Sequence, residues 1–172
     1  MNNKKEVFIT KSFEETQRLG ESFARLHPCQ GATLTVCLYG DLGSGKTTFV
    51  QGLAKGLGIK RRIISPTFVL VRRYELQTQN SKLKTQNYNS KLKSLERFYH
   101  IDLYRTENER DIEGLGLRDI MEDSANIVVI EWAEKLGDLL PKQKTDIFFE
   151  YIDESKRKIV IKNPKHKIIN PK

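Results

Sequence analysis

The chain has 172 residues, 38% apolar and 30% charged, with 11 Gly, 5 Pro and 2 Cys, which suits one globular domain and excludes collagenous, disulfide-stapled and disordered chains. No eighteen-residue apolar run and no apolar signal segment occur, and Cys29 and Cys37 form no C-x-x-C pair or His cluster, so a non-membrane protein of the reducing cytoplasm is expected. The formal charge is +8, but Lys156 to Lys172 carries +7 and Gln77 to Leu95 carries +4, which leaves −3 and assigns the basicity to a tail and an insert.

In chain order, Ser12-Phe-Glu-Glu15 fits a capping box, and Phe13, Thr16, Leu19, Phe23 and Leu26 recur at helical spacing up to His27-Pro28. Leu34 to Tyr39 is a short apolar run that predicts a buried strand, with Cys37 as a small core hydrophobe. A glycine-rich turn follows, and then Phe49, Val50, Leu53, Ala54 and Leu57 mark one face of a helix that Gly58 can cap. Further strands are predicted at Phe68 to Glu75, Arg97 to Leu103, Ile127 to Glu131, Thr145 to Ile152 and Lys158 to Ile161. Helical patterns fall at Asn108 to Met121 and at Trp132 to Leu140, the second stopped by Pro141.

A fully apolar strand feeding a glycine turn, among mixed strands and helices, predicts an α/β sheet with helices on both faces. The expected organisation is one P-loop NTPase-like domain over residues 1–172. It carries a polar insert at about 77–95, an imperfect tandem duplication read as an excursion between two paired strands, and a basic tail at about 156–172.

The chemistry concentrates in Gly40-Asp41-Leu42-Gly43-Ser44-Gly45-Lys46-Thr47, a full match to the phosphate-binding P-loop between a predicted strand and a predicted helix. Glycines let successive N–H groups curl round a phosphate, Lys46 supplies a point charge, and the Thr47 hydroxyl suits the shell of Mg²⁺. A carboxylate at the end of a neighbouring strand must complete the metal site, and both Asp102 and Glu131 qualify. His100 reads as a packed or surface imidazole rather than a catalyst. N-K-x-D and L-S-G-G are absent, which argues against a GTPase and a transporter-type ATPase. Asp111-Ile-Glu-Gly114 matches D-x-x-G but lies inside a helical pattern and is read as chance. A small-molecule kinase and a nucleotide-dependent RNA-binding protein using the basic segments stay open.

The order of the motifs narrows this. The P-loop through Thr48, Ser65-Pro-Thr-Phe68, Tyr99-His-Ile-Asp-Leu-Tyr-Arg105, Gly114-Leu-Gly-Leu-Arg-Asp119 and Ile130-Glu-Trp-Ala133 together resemble the TsaE (YjeE) family over about residues 6 to 162. The resemblance implies an ATPase that uses ATP and Mg²⁺, is weak alone, and works with TsaB and TsaD in threonylcarbamoylation of the adenosine beside the tRNA anticodon. Access to tRNA is expected indirectly, chiefly through those partners, and no membrane partner is expected. It further implies that Lys46 and Thr47 hold phosphates and Mg²⁺ with Thr48 close by, and that Thr67 acts as a switch threonine. Asp102 would serve hydrolysis, Glu131 would hold the metal through its shell, and Trp132 would lie near the nucleotide or start the core face of its helix. The doubled insert and the lysine-rich tail depart from the family pattern without touching a motif.

Overall fold

The computed structural model describes residues 5–26, 34–66, 69–76 and 95–162. Within them one seven-stranded sheet is built from β1 (Lys5–Thr10), β2 (Leu34–Tyr39), β3 (Val71–Glu75), β4 (Arg97–Asp102), β5 (Asn126–Glu131), β6 (Thr145–Tyr151) and β7 (Arg157–Lys162), in the spatial order β1-β7-β6-β2-β5-β4-β3. The four inner strands β6, β2, β5 and β4 run parallel, and β7, β1 and β3 add antiparallel edges.

Alternation along the strands divides the core between two faces. Leu34, Val36 and Leu38 of β2, with Ile127 and Val129 of β5, meet α1 (Phe13–Leu26) and α2 (Lys46–Gly56). Cys37, Val128 and Ile130 point the other way, onto α3 (Glu109–Glu113), α4 (Leu117–Glu122) and a 3-10 segment, Ala133–Leu139. Helices on both faces are therefore observed as expected. Cys37 is fully buried, and that burial pushes its thiol up to about 12, as fits an inert core position.

Three departures have local causes. The span from Asn108 to Met121 holds two helices, because Gly116 takes a left-handed φ of 62° between them. Asp111 is there the N3 residue of a capping box, its carboxylate accepting from the Asn108 N–H at 3.3 Å, so its D-x-x-G match is structural. The segment after β5 is 3-10 and is interrupted at Gly137, and Trp132 stands before it in a left-handed conformation. β1 has no counterpart in the sequence reading, since only Phe8 and Thr10 of this edge strand turn inward and the remainder is charged or exposed.

The basic tail also needs correction. Arg157 to Lys162 is β7, paired on both sides with β1 and β6, so Lys156, Arg157, Lys158 and Lys162 belong to the body and move its charge from −3 to +1. Residues 163–172 and 77–94, and with them most of the insert, lie outside the described residues. The strands flanking the insert, β3 and β4, pair antiparallel, and Leu76 and Leu95 both pack against the core.

α1 and α2 approach closely enough that side chains are excluded from the contact. A Cβ on Gly20 would strike the Phe49 carbonyl oxygen, one on Gly52 would strike the Gln17 backbone, and one on Gly56 would lie 2.7 Å from the Glu21 carbonyl oxygen. Gly52→Ala must therefore push the helices apart, and overpacking of this kind costs about 1–3 kcal/mol. Thermal unfolding should show its midpoint lowered by roughly 4–10 °C. Replacing residues 77–94 by Asn-Gly while keeping Leu76 and Leu95 should leave that midpoint within about 3 °C, because closure entropy changes only slowly with loop length.

Candidate functional site

β2 delivers the chain to the glycine loop at the carboxyl end of the parallel strands, the edge at which open α/β sheets bind ligands. Gly40 leaves the strand at φ 135°, and any Cβ there would collide with the Phe149 carbonyl of β6. Gly45 precedes α2 at φ 101°, and the Phe49 N–H returns to its carbonyl at 3.0 Å to start the helix. The loop therefore folds back on itself, with the Ser44 N–H bonded to the Asp41 carbonyl at 3.2 Å, a glycine turn before a helix of the kind suited to anions. The Ser44 hydroxyl is buried within it and has no partner among the described residues.

Lys46 is 4% exposed, and its Nζ donates to the carbonyl oxygens of Gly40 at 2.6 Å and Asp41 at 2.8 Å. The same ammonium lies 4.1 Å from the centre of the Trp132 ring. Burial pulls its pKa down, while Glu131, Glu134, Asp102 and Asp41 act in the opposite sense.

Parallel pairing of β4 with β5 places Asp102 directly opposite Glu131, so both strand-end carboxylates stand beside the loop. Glu131 is 2% exposed and takes the Thr47 hydroxyl at 2.9 Å on each of its oxygens, together with His100 Nε2 at 2.8 Å on Oε1. Asp102 accepts from the Ser65 hydroxyl on Oδ2 and from the Tyr104 N–H on Oδ1 at 3.0 Å. The pair left open by the sequence is thus divided in space, with Glu131 bonded to the P-loop threonine and Asp102 held by the segment after α2.

A cavity of about 270 Å³ opens between these groups. Of the residues singled out in the sequence, Leu42, Gly43, Gly45, Lys46, Thr47 and Thr48 line it from the loop, and Asp102, Glu131 and Trp132 line it from the strand ends. Asp41 and Ser44 form the body of the loop behind them, and Thr67 lies outside the described residues. Ser65 and Tyr104, which sequence reasoning did not select, also line the cavity, although both stand inside motifs already quoted.

Arg157 of β7 was missed because its charge was counted with the tail. Its guanidinium donates to the Gly43 carbonyl at 3.2 Å and to the Asp153 carbonyl at 2.7 Å, and it packs 4.5 Å from the Tyr151 ring centre, so the β6–β7 turn braces the loop. The donor set formed by the Thr47 hydroxyl and the Glu131 carboxylate consists of hard oxygens, which suits Mg²⁺ better than a thiol- or imidazole-seeking metal. The open glycine cradle with its buried Lys46 fits a polyphosphate equally well.

A glycine loop between a buried strand and a helix, with an acidic strand end against its threonine, defines an α/β domain of the P-loop nucleoside-triphosphatase type. The family model for threonylcarbamoyl adenosine biosynthesis protein TsaE matches residues 10–159, and the chain belongs to that family. It is similar to the tRNA threonylcarbamoyladenosine biosynthesis protein TsaE of Aquifex aeolicus, with 37% identity over 161 residues, 91% of this chain and 95% of that protein. The Bacillus subtilis (strain 168) protein of the same name is 35% identical over 149 residues, covering 85% of this chain and 78% of its own. The crystal structure of Bacillus subtilis YdiB superposes with a TM-score of 0.66 at 26% identity, over 95% of this chain and 88% of that one. A role in tRNA threonylcarbamoyladenosine biosynthesis follows from the family.

Trp132 is the only tryptophan of the chain and stands on Lys46, so an anion entering the loop must disturb its ring. Tryptophan emission should change saturably on titration with ATP, and Lys46→Ala should shift that titration to roughly ten- to a hundredfold higher concentration, in line with the loss of one or two charge-assisted contacts.

Proposed function

We propose that the chain is a Mg²⁺-dependent ATP hydrolase that works with TsaB and TsaD in threonylcarbamoylation of the adenosine next to the tRNA anticodon. The observation that carries this reading is the Thr47 hydroxyl bonded to the buried Glu131 carboxylate within a loop whose lysine faces the same cavity. Family membership supports the pathway, and the absence among the described residues of any helix long and apolar enough to cross a membrane is compatible with action in the cytoplasm.

In this reading the loop N–H groups and Lys46 bind the phosphates, and Lys46 exchanges its bonds to the Gly40 and Asp41 carbonyls for phosphate oxygens. Thr47 and, from behind it, Glu131 would hold the cation, the threonine offering an oxygen lone pair while its hydroxyl continues to donate to the Glu131 carboxylate. Bound Mg²⁺ supplies charge neutralisation at the phosphates. Asp102, fixed by Ser65 and the Tyr104 N–H, faces the same cavity and orients the attacking water. Thr67, outside the described residues, is assigned the part of a switch threonine by the family resemblance of its motif alone. Trp132 covers Lys46 and limits access of bulk water to it.

Such a division separates binding from turnover. Asp102→Asn keeps the acceptor for the Tyr104 N–H, so it should bind ATP within about threefold of the parent and release phosphate at least tenfold more slowly. Calorimetry and phosphate release in water, with no acceptor added, test this; normal turnover by the variant would remove Asp102 from the mechanism, and release only with an added acceptor would identify a kinase. Adding TsaB and TsaD should raise phosphate release severalfold, and no stimulation would overturn the partner assignment.

The body now stands near neutrality, so tRNA affinity of the chain alone should be weak and should fade with salt. A chain ending after Lys162 should bind tRNA no more tightly than the full chain at either low or near-physiological salt. Tight, salt-resistant binding by that chain would favour direct RNA recognition.

A further inference from the structure

We propose that His100 is a positioning residue for the cation-binding half of the site. Its Nε2–H holds the Glu131 carboxylate in the one orientation from which Thr47 can present its oxygen to Mg²⁺. This rests on the Mg²⁺-nucleotide reading above and adds a residue that the reading does not use.

The argument starts from strand alternation. Phe98 belongs to the α2 face of β4 while Tyr99 and Ile101 belong to the opposite face, so His100 occupies an α2-facing core position. Its register partner on β5 is Val129, which makes Glu131 its diagonal neighbour, within reach of a long side chain. Ile127, Val129 and Phe98 of the same face are apolar and fully buried, and an apolar side chain would suit His100's position in packing terms. Instead the imidazole is wholly inaccessible and its Nδ1 has no partner among the described residues. A nitrogen buried without a hydrogen bond is costly, so the favourable polar contact of this histidine is the one its other nitrogen makes.

That other nitrogen breaks a symmetry. Thr47 lies 2.9 Å from both carboxylate oxygens of Glu131, so its single proton does not by itself choose between them. His100 Nε2 contacts only Oε1, at 2.8 Å, and fixes the plane. A carboxylate only accepts, so the proton of this bond sits on Nε2. When Thr47 directs its oxygen to a cation, its one proton must still find Glu131, and a freely turning carboxylate would compete for the cation itself. Partners that orient a metal's ligands in this manner contribute about ten- to a hundredfold to metal affinity.

The test uses the full chain and an imido analogue of ATP, titrated by calorimetry without Mg²⁺ and over a range of Mg²⁺ concentrations. His100→Leu fills the space without a donor, and His100→Gln restores an N–H at similar reach. The Mg²⁺ concentration for half-maximal tightening should rise about tenfold or more in His100→Leu and return to within about threefold of the parent in His100→Gln, with Mg²⁺-free affinity unchanged in both. In a Glu131→Gln background, His100→Leu should add nothing further. A parent-like Mg²⁺ titration for His100→Leu, or an equal loss of Mg²⁺-free affinity, would overturn the assignment. If His100→Leu does not fold, His100→Gln against His100→Asn, whose donor falls short, gives the same comparison, and equal Mg²⁺ dependence of those two overturns it. A parent protein whose nucleotide affinity ignores Mg²⁺ would overturn the magnesium reading itself and His100's role with it, an outcome distinct from failure of His100 alone.

Discussion

The bond between the Thr47 hydroxyl and the Glu131 carboxylate joins the first turn of α2 to the last residue of β5, and almost every other feature of the site is positioned by what lets those two residues meet. Glu131 can stand there only if β5 keeps its register against β2 on one side and β4 on the other, where it aligns with Leu38 and Asp102. A slip of one residue would turn Glu131 to the opposite face and bring Ile130 against the P-loop. The apolar stretch Ile127 to Ile130 is buried on both faces, and a slip would exchange the side chains packed on one face, Ile127 and Val129, for those packed on the other, Val128 and Ile130. The core thus fixes the carboxylate before any ligand is considered.

Thr47 is fixed from the other side by helix packing. The glycines at 20, 52 and 56 let α1 and α2 meet backbone to backbone, so the axis of α2, and with it the direction of its N-terminal N–H groups, is set by contacts that no side-chain rearrangement can relax. α1 is in turn tied to β1 through the Thr10 and Thr16 hydroxyls, 2.8 Å apart and buried. The edge strand β1 therefore belongs to the machinery that aims the phosphate loop, although it lies two strands from β6 and far from β5 in the sheet order.

What could be read from sequence follows from how local each determinant is. The P-loop, its strand and its helix are contiguous, so glycine spacing and apolar periodicity suffice to find them and to select Lys46 and Thr47. The strand ends at Asp102 and Glu131 are equally visible, since an acid closing an apolar run is a local pattern. Their separate hydrogen-bond partners are not visible, because these depend on which strand lies beside β2 and on Ser65 and His100 being brought to them by the fold. His100 looks like any histidine in an apolar strand until the diagonal to Glu131 is known. Arg157 was hidden by composition: a lysine-rich stretch averages over a residue that is individually placed, and pairing on both sides of β7 is a long-range fact.

The two carboxylates end in environments of different exposure. Glu131 is surrounded by Lys46, His100 and the inner strands, all nearly inaccessible, so its geometry moves only if the core moves. Asp102 is equally buried, but one of its donors, Ser65, sits on a connection between α2 and β3 in which Ile64 and Val69 are largely exposed. Leu70, whose carbonyl accepts from the Asp102 N–H at 2.9 Å, is held at a φ of 63°, a conformation unfavourable for a leucine. A left-handed residue therefore stands beside each carboxylate, Leu70 bonded to Asp102 and Trp132 following Glu131, and what differs is exposure, which is greater on the Asp102 side through the connection that carries Ser65. The surface around Ile64 and Val69 is joined to the site through the Ser65 hydroxyl, which bonds to Asp102 and not to Glu131.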